Sequence, residues 1–182
     1  MKVLQTPIKD LIVIEPTVSR DSRGYFFEPY NKLKFNKHFG NINFVQDNES
    51  KSLRGVLRGF HFQKPPFEQA KLVRCVNGEI LDIAIDLRKQ SKTYGNHYKV
   101  ILSGENKKQC FIPRGFAHAF LVLSETAVFS YKVDNIYSPE HDSGIVWNDP
   151  SLSIDWGFKE SDLIISSKDK NLCFLMEMNS PF

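Results

Sequence analysis

The feature that most constrains the fold of this chain is a series of short apolar runs separated by turn residues, with little helical periodicity between them. These runs predict strands at residues 11–15, 44–47, 71–76, 100–102, 119–123 and 127–133. Residues 81–87 alternate clearly, because Leu81, Ile83 and Ile85 share one face while Asp82 and Ala84 share the other. Many short strands joined by Gly and Pro turns indicate an all-β sandwich or barrel.

Local signals between the runs complete the predicted architecture. The dipeptide Asn77-Gly78 lies between two apolar runs and predicts a two-residue β-hairpin. One short helix is predicted at 31–39, with Asn31 at its start and Gly40 after its end, and a weaker one near 160–163. The length of 182 residues fits one domain. We therefore predict a single domain over 1–182, with a β core at about 40–135 and both termini packed on it.

Charge and cysteine content argue against several classes of protein. With 24 basic and 21 acidic residues, the net charge of +3 is too small and too scattered for a nucleic-acid-binding surface. Three cysteines without a Cys-x-x-Cys pair favour a reducing compartment and give no support for structural zinc. The first ten residues have no apolar signal core, and no run of about 18 apolar residues predicts a membrane span. We expect a cytoplasmic protein without nucleic-acid or membrane partners.

His61 lies in an otherwise apolar and aromatic strand at residues 57–63. A histidine there is either a core residue satisfied by hydrogen bonds or a functional group. Strand parity puts His61 and Gln63 on one face and Arg58 on the other. A bulge at Gly59 would turn Arg58 toward the same cavity.

The segment 113–118 has the spacing Pro-x-Gly-x-x-His, ending at His118. This spacing resembles the second motif of cupins, which are double-sheet jelly rolls. Metal-binding cupins usually offer a His-x-His pair earlier in the chain, but here Gln63 stands where the second imidazole would be. Two histidines without a clear third ligand make a poor transition-metal site. We predict a cupin-type jelly-roll barrel with a few short peripheral helices and no metal ion.

Two further groups of residues could carry chemistry, and the first of them suits a phosphorylated ligand. Segment 21–28 combines Arg23 with aromatic residues and Glu28, which suits a diphosphate contact, a stacking platform and an acceptor for a base edge. The other group is dispersed and consists of Lys71, Arg74, Tyr131 and the pair Lys168-Asp169.

Taken in order, these segments make the chain resemble the dTDP-4-dehydrorhamnose 3,5-epimerase family from end to end. The matching stretches include 21–28, 44–48, 57–63, 71–74, 112–118, 147–149 and 167–169. The resemblance implies a cupin-type jelly roll, a homodimer, no metal and no redox cofactor. It also implies a nucleotide-diphosphate sugar as substrate.

The resemblance further implies roles for individual residues. His61 would be the general base that removes a proton beside the C4 ketone, and Asp169 would orient it. Lys71 would lie near the C4 oxygen, and Tyr131 would return a proton from the opposite face. The other implied contacts are Arg23, Gln46, Asn48, Arg58 and Lys168 for the nucleotide or diphosphate, Phe26 and Glu28 for the base, and His118 for the sugar pocket.

The chemistry of the reaction supports this set of residues. A carbon acid beside a ketone is too weak for imidazole in water, so the enolate oxygen needs a fixed positive charge in a dry site. Imidazole has a reference pKa near 6.5 and can take and give protons at neutral pH. Inversion requires proton removal on one face and delivery on the other, which gives His61 and Tyr131 separate tasks.

Several alternatives remain open. Phe60 and Ala119 stand where most family members have Leu and often Gly, and these changes could reshape the sugar pocket. Glu28 is compatible with thymine or guanine, so a GDP-linked 4-keto heptose for capsule biosynthesis is the alternative substrate. Epimerisation at C3, at C5 or at both is not decided. A non-catalytic sugar-binding cupin and a metal-dependent cupin oxygenase are the alternatives of a different class.

Overall fold

The computed structural model describes all residues, 1–182, and builds the chain around two facing sheets. The first sheet contains, in spatial order, β1 (Lys2–Gln5), β2 (Ile12–Glu15), β10 (Gln109–Ile112), β7 (Lys71–Asn77), β12 (Thr126–Val133) and β5 (Gln46–Leu53). The second contains β13 (Asp142–Gly144), β6 (Val56–Gln63), β11 (Phe116–Val122), β8 (Glu79–Asp86) and β9 (His97–Ser103), with β14 (Ile164–Ile165) paired to β6. A separate hairpin is formed by β3 (Ser19–Asp21) and β4 (Gly24–Phe26). The prediction of an all-β, double-sheet fold is confirmed.

Helices are short and peripheral. Helix α1 (Lys32–Phe39) begins at the predicted cap, where the Asn31 side chain accepts a hydrogen bond from the Lys34 N–H, and ends at Gly40. The second predicted helix is a single 3₁₀ turn, Glu160–Asp162, and another 3₁₀ turn spans Pro139–His141. Helix α2 (Ser167–Lys170) was not predicted, because four residues carry no apolar periodicity. None of the helices has the length and apolar character needed to cross a membrane.

The hairpin predicted at Asn77-Gly78 is wrong. Strand β7 belongs to the first sheet and β8 to the second, so the two strands are not paired with each other. Gly78 has φ +78°, and a Cβ there would lie 2.1 Å from the Thr126 carbonyl oxygen. The chain uses the positive φ and the missing side chain to cross between sheets beside β12, rather than to fold back on itself.

Three apolar clusters hold the layers together. Between the sheets, Phe120 of β11 and Phe129 of β12 stack with ring centres 4.3 Å apart. Outside the second sheet, the predicted alternation of β8 is confirmed, because Ile83 and Ile85 pack against the C-terminal segment near Trp156 while Ala84 faces the interior. Outside the first sheet, α1 packs through Phe35. The terminal segments therefore cover both outer faces.

Candidate active site

A cleft of about 730 Å³ opens between the two sheets. Residues of both sheets and of α2 line it. Those predicted from the sequence to form the site are Asn48, Arg58, His61, Lys71, His118, Tyr131, Lys168 and Asp169. The fold therefore brings together residues from positions 48 to 169 of the chain.

His61 and Asp169 form a pair on the wall made by the second sheet. The His61 Nε2 lies 2.7 Å from Asp169 Oδ1, and the Gly59 N–H donates to Asp169 Oδ2 at 3.2 Å. The Ser166 side chain caps α2 by accepting from the Asp169 N–H, which fixes the start of the helix. Burial alone would raise the pKa of Asp169, but the hydrogen bond and charge of His61, together with the hydrogen bonds of Gly59 and Ser166, outweigh it and lower that pKa. Asp169 is thus an ionised partner that orients the imidazole.

The predicted irregularity at Gly59 is present and determines where Arg58 points. His61 is paired with His118 and Arg58 with Phe120, so three steps on β6 oppose two on β11. Gly59 has φ +117°, and a Cβ there would lie 2.5 Å from the His118 carbonyl oxygen. Because of this bulge, Arg58 and His61 line the same cleft, although regular alternation would have put them on opposite faces.

Lys71 and Tyr131 lie on the opposite wall, on β7 and β12 of the first sheet. The Lys71 Nζ donates to the His61 carbonyl oxygen at 3.4 Å. Burial lowers the pKa of Lys71 to about 8, although the nearby charges of Asp142 and Asp82 partly offset it. Burial raises the pKa of Tyr131, so its phenol is protonated at neutral pH. The cleft thus has an imidazole on one wall and an ammonium and a phenol on the other.

His118 belongs to a second imidazole–carboxylate pair, deeper in the same wall. Its Nε2 lies 2.6 Å from Asp82 Oδ2, and both side chains are buried. Burial lowers the pKa of His118 despite the opposing effect of Asp82. Asp82 was not predicted as a site residue, although its alternation with Ile83 already put it on the inward face of β8.

Asp142 and Tyr137 also line the cleft and were not predicted. The Asp142 carboxylate accepts from the Tyr137 hydroxyl at 3.1 Å and from the Lys168 ammonium. They lie in a loop and a three-residue strand without apolar patterning, and we find no sequence signal that would have identified them.

Four predicted binding residues lie outside the cleft lining of a single chain. Arg23 is paired with Asp21 on the exposed β3–β4 hairpin, and Phe26 of the same hairpin is 73% exposed. Glu28 is paired with Lys34 of α1. Gln46 touches the cleft indirectly, because its Nε2 donates to Asn48 Oδ1 at 2.9 Å.

Gln63, Phe60 and Ala119 were singled out by the sequence, and the structure shows what each of them contacts. Gln63, which replaces a cupin metal ligand, is buried and accepts a hydrogen bond from the Ser138 N–H at 2.9 Å. No group of three or more His, Cys, Asp or Glu side chains has metal-binding geometry. Phe60 and Ala119 were expected from the sequence to reshape the sugar pocket, but both side chains pack in the outer cluster with Trp156 instead.

The model of the dTDP-4-dehydrorhamnose 3,5-epimerase family matches residues 5–177 of the chain. The chain belongs to this family. A curated family member from Methanothermobacter thermautotrophicus, a dTDP-4-dehydrorhamnose 3,5-epimerase, is 52% identical over 93% of this chain and 92% of its own. The solved structure of the enzyme of that name from Elizabethkingia anophelis has a TM-score of 0.94 and 54% identity over 98% of both chains. A Legionella pneumophila epimerase in complex with dTDP-4-keto-L-rhamnose has a TM-score of 0.94 and 43% identity, over 98% of this chain and 94% of its own.

Proposed function

We propose that this chain is an isomerase that epimerises a dTDP-linked 4-keto-6-deoxy hexose at C3 and C5, in the biosynthesis of a sugar nucleotide for surface polysaccharide. The observation that carries the proposal is the division of the cleft. An imidazole paired with an ionised carboxylate faces an ammonium and a neutral phenol across the space between the sheets. Family relatives named for 3,5-epimerisation share about half of their residues with this chain.

The proposed reaction begins with proton removal by His61 from the carbon beside the C4 ketone. The electron pair of the C–H bond moves toward the C4 oxygen and forms an enolate. The Lys71 ammonium stabilises that oxygen, and its effect is large because burial limits screening by water. Asp169 stabilises the imidazolium that forms. Tyr131, with a raised pKa, delivers a proton to the opposite face of the carbon, which inverts its configuration.

Some of the groups expected to bind the nucleotide end of the substrate lie outside the cleft of a single chain. We propose that the chain is a homodimer and that the β3–β4 hairpin reaches the cleft of the second copy. The hairpin is paired with no other sheet, and it presents a cation at Arg23 and a bare ring at Phe26, with Glu28 following. These groups suit a diphosphate, a base face and a base edge. A monomer that binds dTDP tightly would contradict this arrangement.

Deuterium exchange tests the reaction directly. The chain is incubated in D₂O with a dTDP-linked 4-keto-6-deoxy hexose and, in parallel, with a GDP-linked 4-keto heptose, and label is located by mass spectrometry and NMR. We expect label at C3 and C5 with inverted configuration, and only for the dTDP sugar. Label at one carbon would reduce the activity to a single epimerisation. Tight binding without any label would instead support a sugar-binding cupin.

The family match favours the dTDP hexose over the GDP heptose. The cytoplasmic location expected from the sequence stays a prediction.

A further inference from the structure

Asp142 has no step in the proposed reaction, but it lines the same cleft as the groups that do. We propose that Asp142 is a positioning residue with two roles. It connects α2, which carries Asp169, to β6, which carries His61. Its negative charge also stabilises the positive charge of the Lys71 ammonium. This inference deepens the proposed function and rests on it.

The hydrogen-bond pattern of Asp142 supports the connecting role. Its strand β13 is paired with β6, in register Asp142 with Gln63 and Gly144 with His61. Its carboxylate accepts from the ammonium of Lys168, the residue next to Asp169 on α2. A four-residue helix has little stability of its own, so an ion pair at its surface helps to decide where Asp169 lies. The carboxylate is only 12% exposed, which limits its screening by solvent.

The surroundings of Lys71 support the electrostatic role. The Lys71 ammonium forms no ion pair within 4.0 Å, and its only hydrogen bond is to the His61 carbonyl oxygen. The charges of Asp142 and Asp82 raise its pKa against the larger effect of burial. The titratable and charged groups that line the cleft or lie directly behind it are Glu49 on β5, Arg58 and His61 on β6, Asp82 on β8, His118 on β11, Tyr131 on β12, Tyr137, Asp142 on β13, and Lys168 and Asp169 on α2.

Lys71 can be distinguished from these neighbours by its pH range. The pKa values of Tyr131 and Tyr137 are raised above that of an ordinary phenol, so both titrate at higher pH than Lys71. The pKa of His118 is lowered, so it titrates in acid. A loss of activity in mildly alkaline solution therefore reports Lys71.

The test replaces Asp142 by Asn, which keeps the shape and removes the charge. We expect kcat to fall about 10- to 100-fold with little change in KM, because a displaced Asp169 affects the reaction more than binding. We also expect the alkaline limb of kcat/KM to move to lower pH, because the remaining charges hold the Lys71 proton less well. Asp47→Asn is the control, since Asp47 also pairs with a lysine, Lys132, but is 66% exposed and does not line the cleft. It should change neither quantity.

A second measurement does not depend on catalysis. The Lys71 side chain is titrated by NMR in isotopically labelled protein, with its signal assigned through Lys71→Arg. A lower titration midpoint in Asp142→Asn than in the parent chain supports the proposal, even if the parent proves inactive. An unchanged midpoint and an unmoved alkaline limb would overturn it. So would a raised KM with normal kcat, which would make Asp142 a substrate contact.

A second pair of variants keeps the proposal testable if Asp142→Asn does not fold. Tyr137→Phe and Lys168→Gln are then compared in the same NMR titration of Lys71. If Lys168→Gln does not lower kcat, the connecting role of Asp142 is overturned.

Discussion

The His61–Asp169 and His118–Asp82 pairs have nearly the same geometry, with 2.7 and 2.6 Å between the imidazole nitrogen and the carboxylate oxygen. They differ in access, because the His61 side chain is 32% exposed to the cleft and that of His118 is 7% exposed. A base must reach the substrate and then carry a positive charge. Burial lowers the pKa of His118 and disfavours that charge. Although the two pairs have the same geometry, His61 can carry a proton, whereas His118 is a neutral group fixed in the wall of the cleft.

The two carboxylates also differ. Both oxygens of Asp169 accept hydrogen bonds, from His61 and from the Gly59 N–H. Asp82 has one oxygen that is buried without a donor. Only the first carboxylate is surrounded by groups that favour its ionised form from both sides, which agrees with its lowered pKa.

The largest effect is expected from exchanging the two imidazoles for amides. His61→Asn should lower kcat about 1,000-fold, because it removes the general base, and should abolish deuterium uptake. His118→Asn should lower kcat only about tenfold, since the wall group holds the sugar without transferring a proton. Steady-state kinetics and D₂O exchange measure both. Equal losses in the two variants would break the distinction between the pairs.

The next effect concerns the carboxylates. Asp169→Asn keeps the hydrogen bond to His61 but removes the charge that stabilises the imidazolium, so kcat should fall about 100-fold. Asp82→Asn should cost less activity, because the pKa of its partner His118 is already lowered by burial. A larger loss for Asp82→Asn than for Asp169→Asn would reverse the assignment. Circular dichroism of both variants controls for misfolding.

How much of this site the sequence could predict depends on the kind of signal. The strands with apolar alternation are recognisable from the sequence: β12 buries mainly one face, and β8, buried on both, alternates large apolar residues with Asp and Ala. Strand β5 was predicted only over its first residues, at 44–47, because Gln46–Leu53 is polar and buries only Ser52. The pairing of His61 with Asp169 spans 108 residues and follows from a resemblance, since no local pattern encodes so distant a contact.

Other features depended on geometry that a pattern does not carry. The dipeptide Asn77-Gly78 indicates a positive φ but not whether the chain then folds back or crosses to another sheet. Asp142 is polar in a loop-rich region, and only the pairing of β13 with β6 brings it to the cleft. Alternation along β6 already puts Phe60 on the face opposite His61, but the sequence could not establish the bulge at Gly59, which changes the parity between Arg58 and His61.

Lys71, on the cleft wall opposite His61, should have a smaller and pH-dependent effect on kcat/KM. With a pKa of about 8, Lys71 is mostly protonated at pH 7 and loses its charge as the pH rises through 8. On the alkaline side, kcat/KM should therefore fall about tenfold for each pH unit above the Lys71 pKa of about 8. Lys71→Arg keeps the charge at all accessible pH and should remove this limb, at some cost in maximal rate. Persistence of the same limb in Lys71→Arg would assign it to another group.

The smallest effect on catalysis is expected from Phe60→Leu, next to the base. The Phe60 ring is fully buried and lies 5.7 Å from the Trp156 ring, on the side of the second sheet away from the cleft. The substitution should lower the free energy of unfolding by about 1 kcal/mol, measured by urea denaturation, while kcat stays within about twofold. Because His61 and Phe60 are adjacent but face opposite ways, this variant separates the outer core from the site. A tenfold fall in kcat without loss of stability would mean that β6 transmits changes from its outer face to the His61 imidazole.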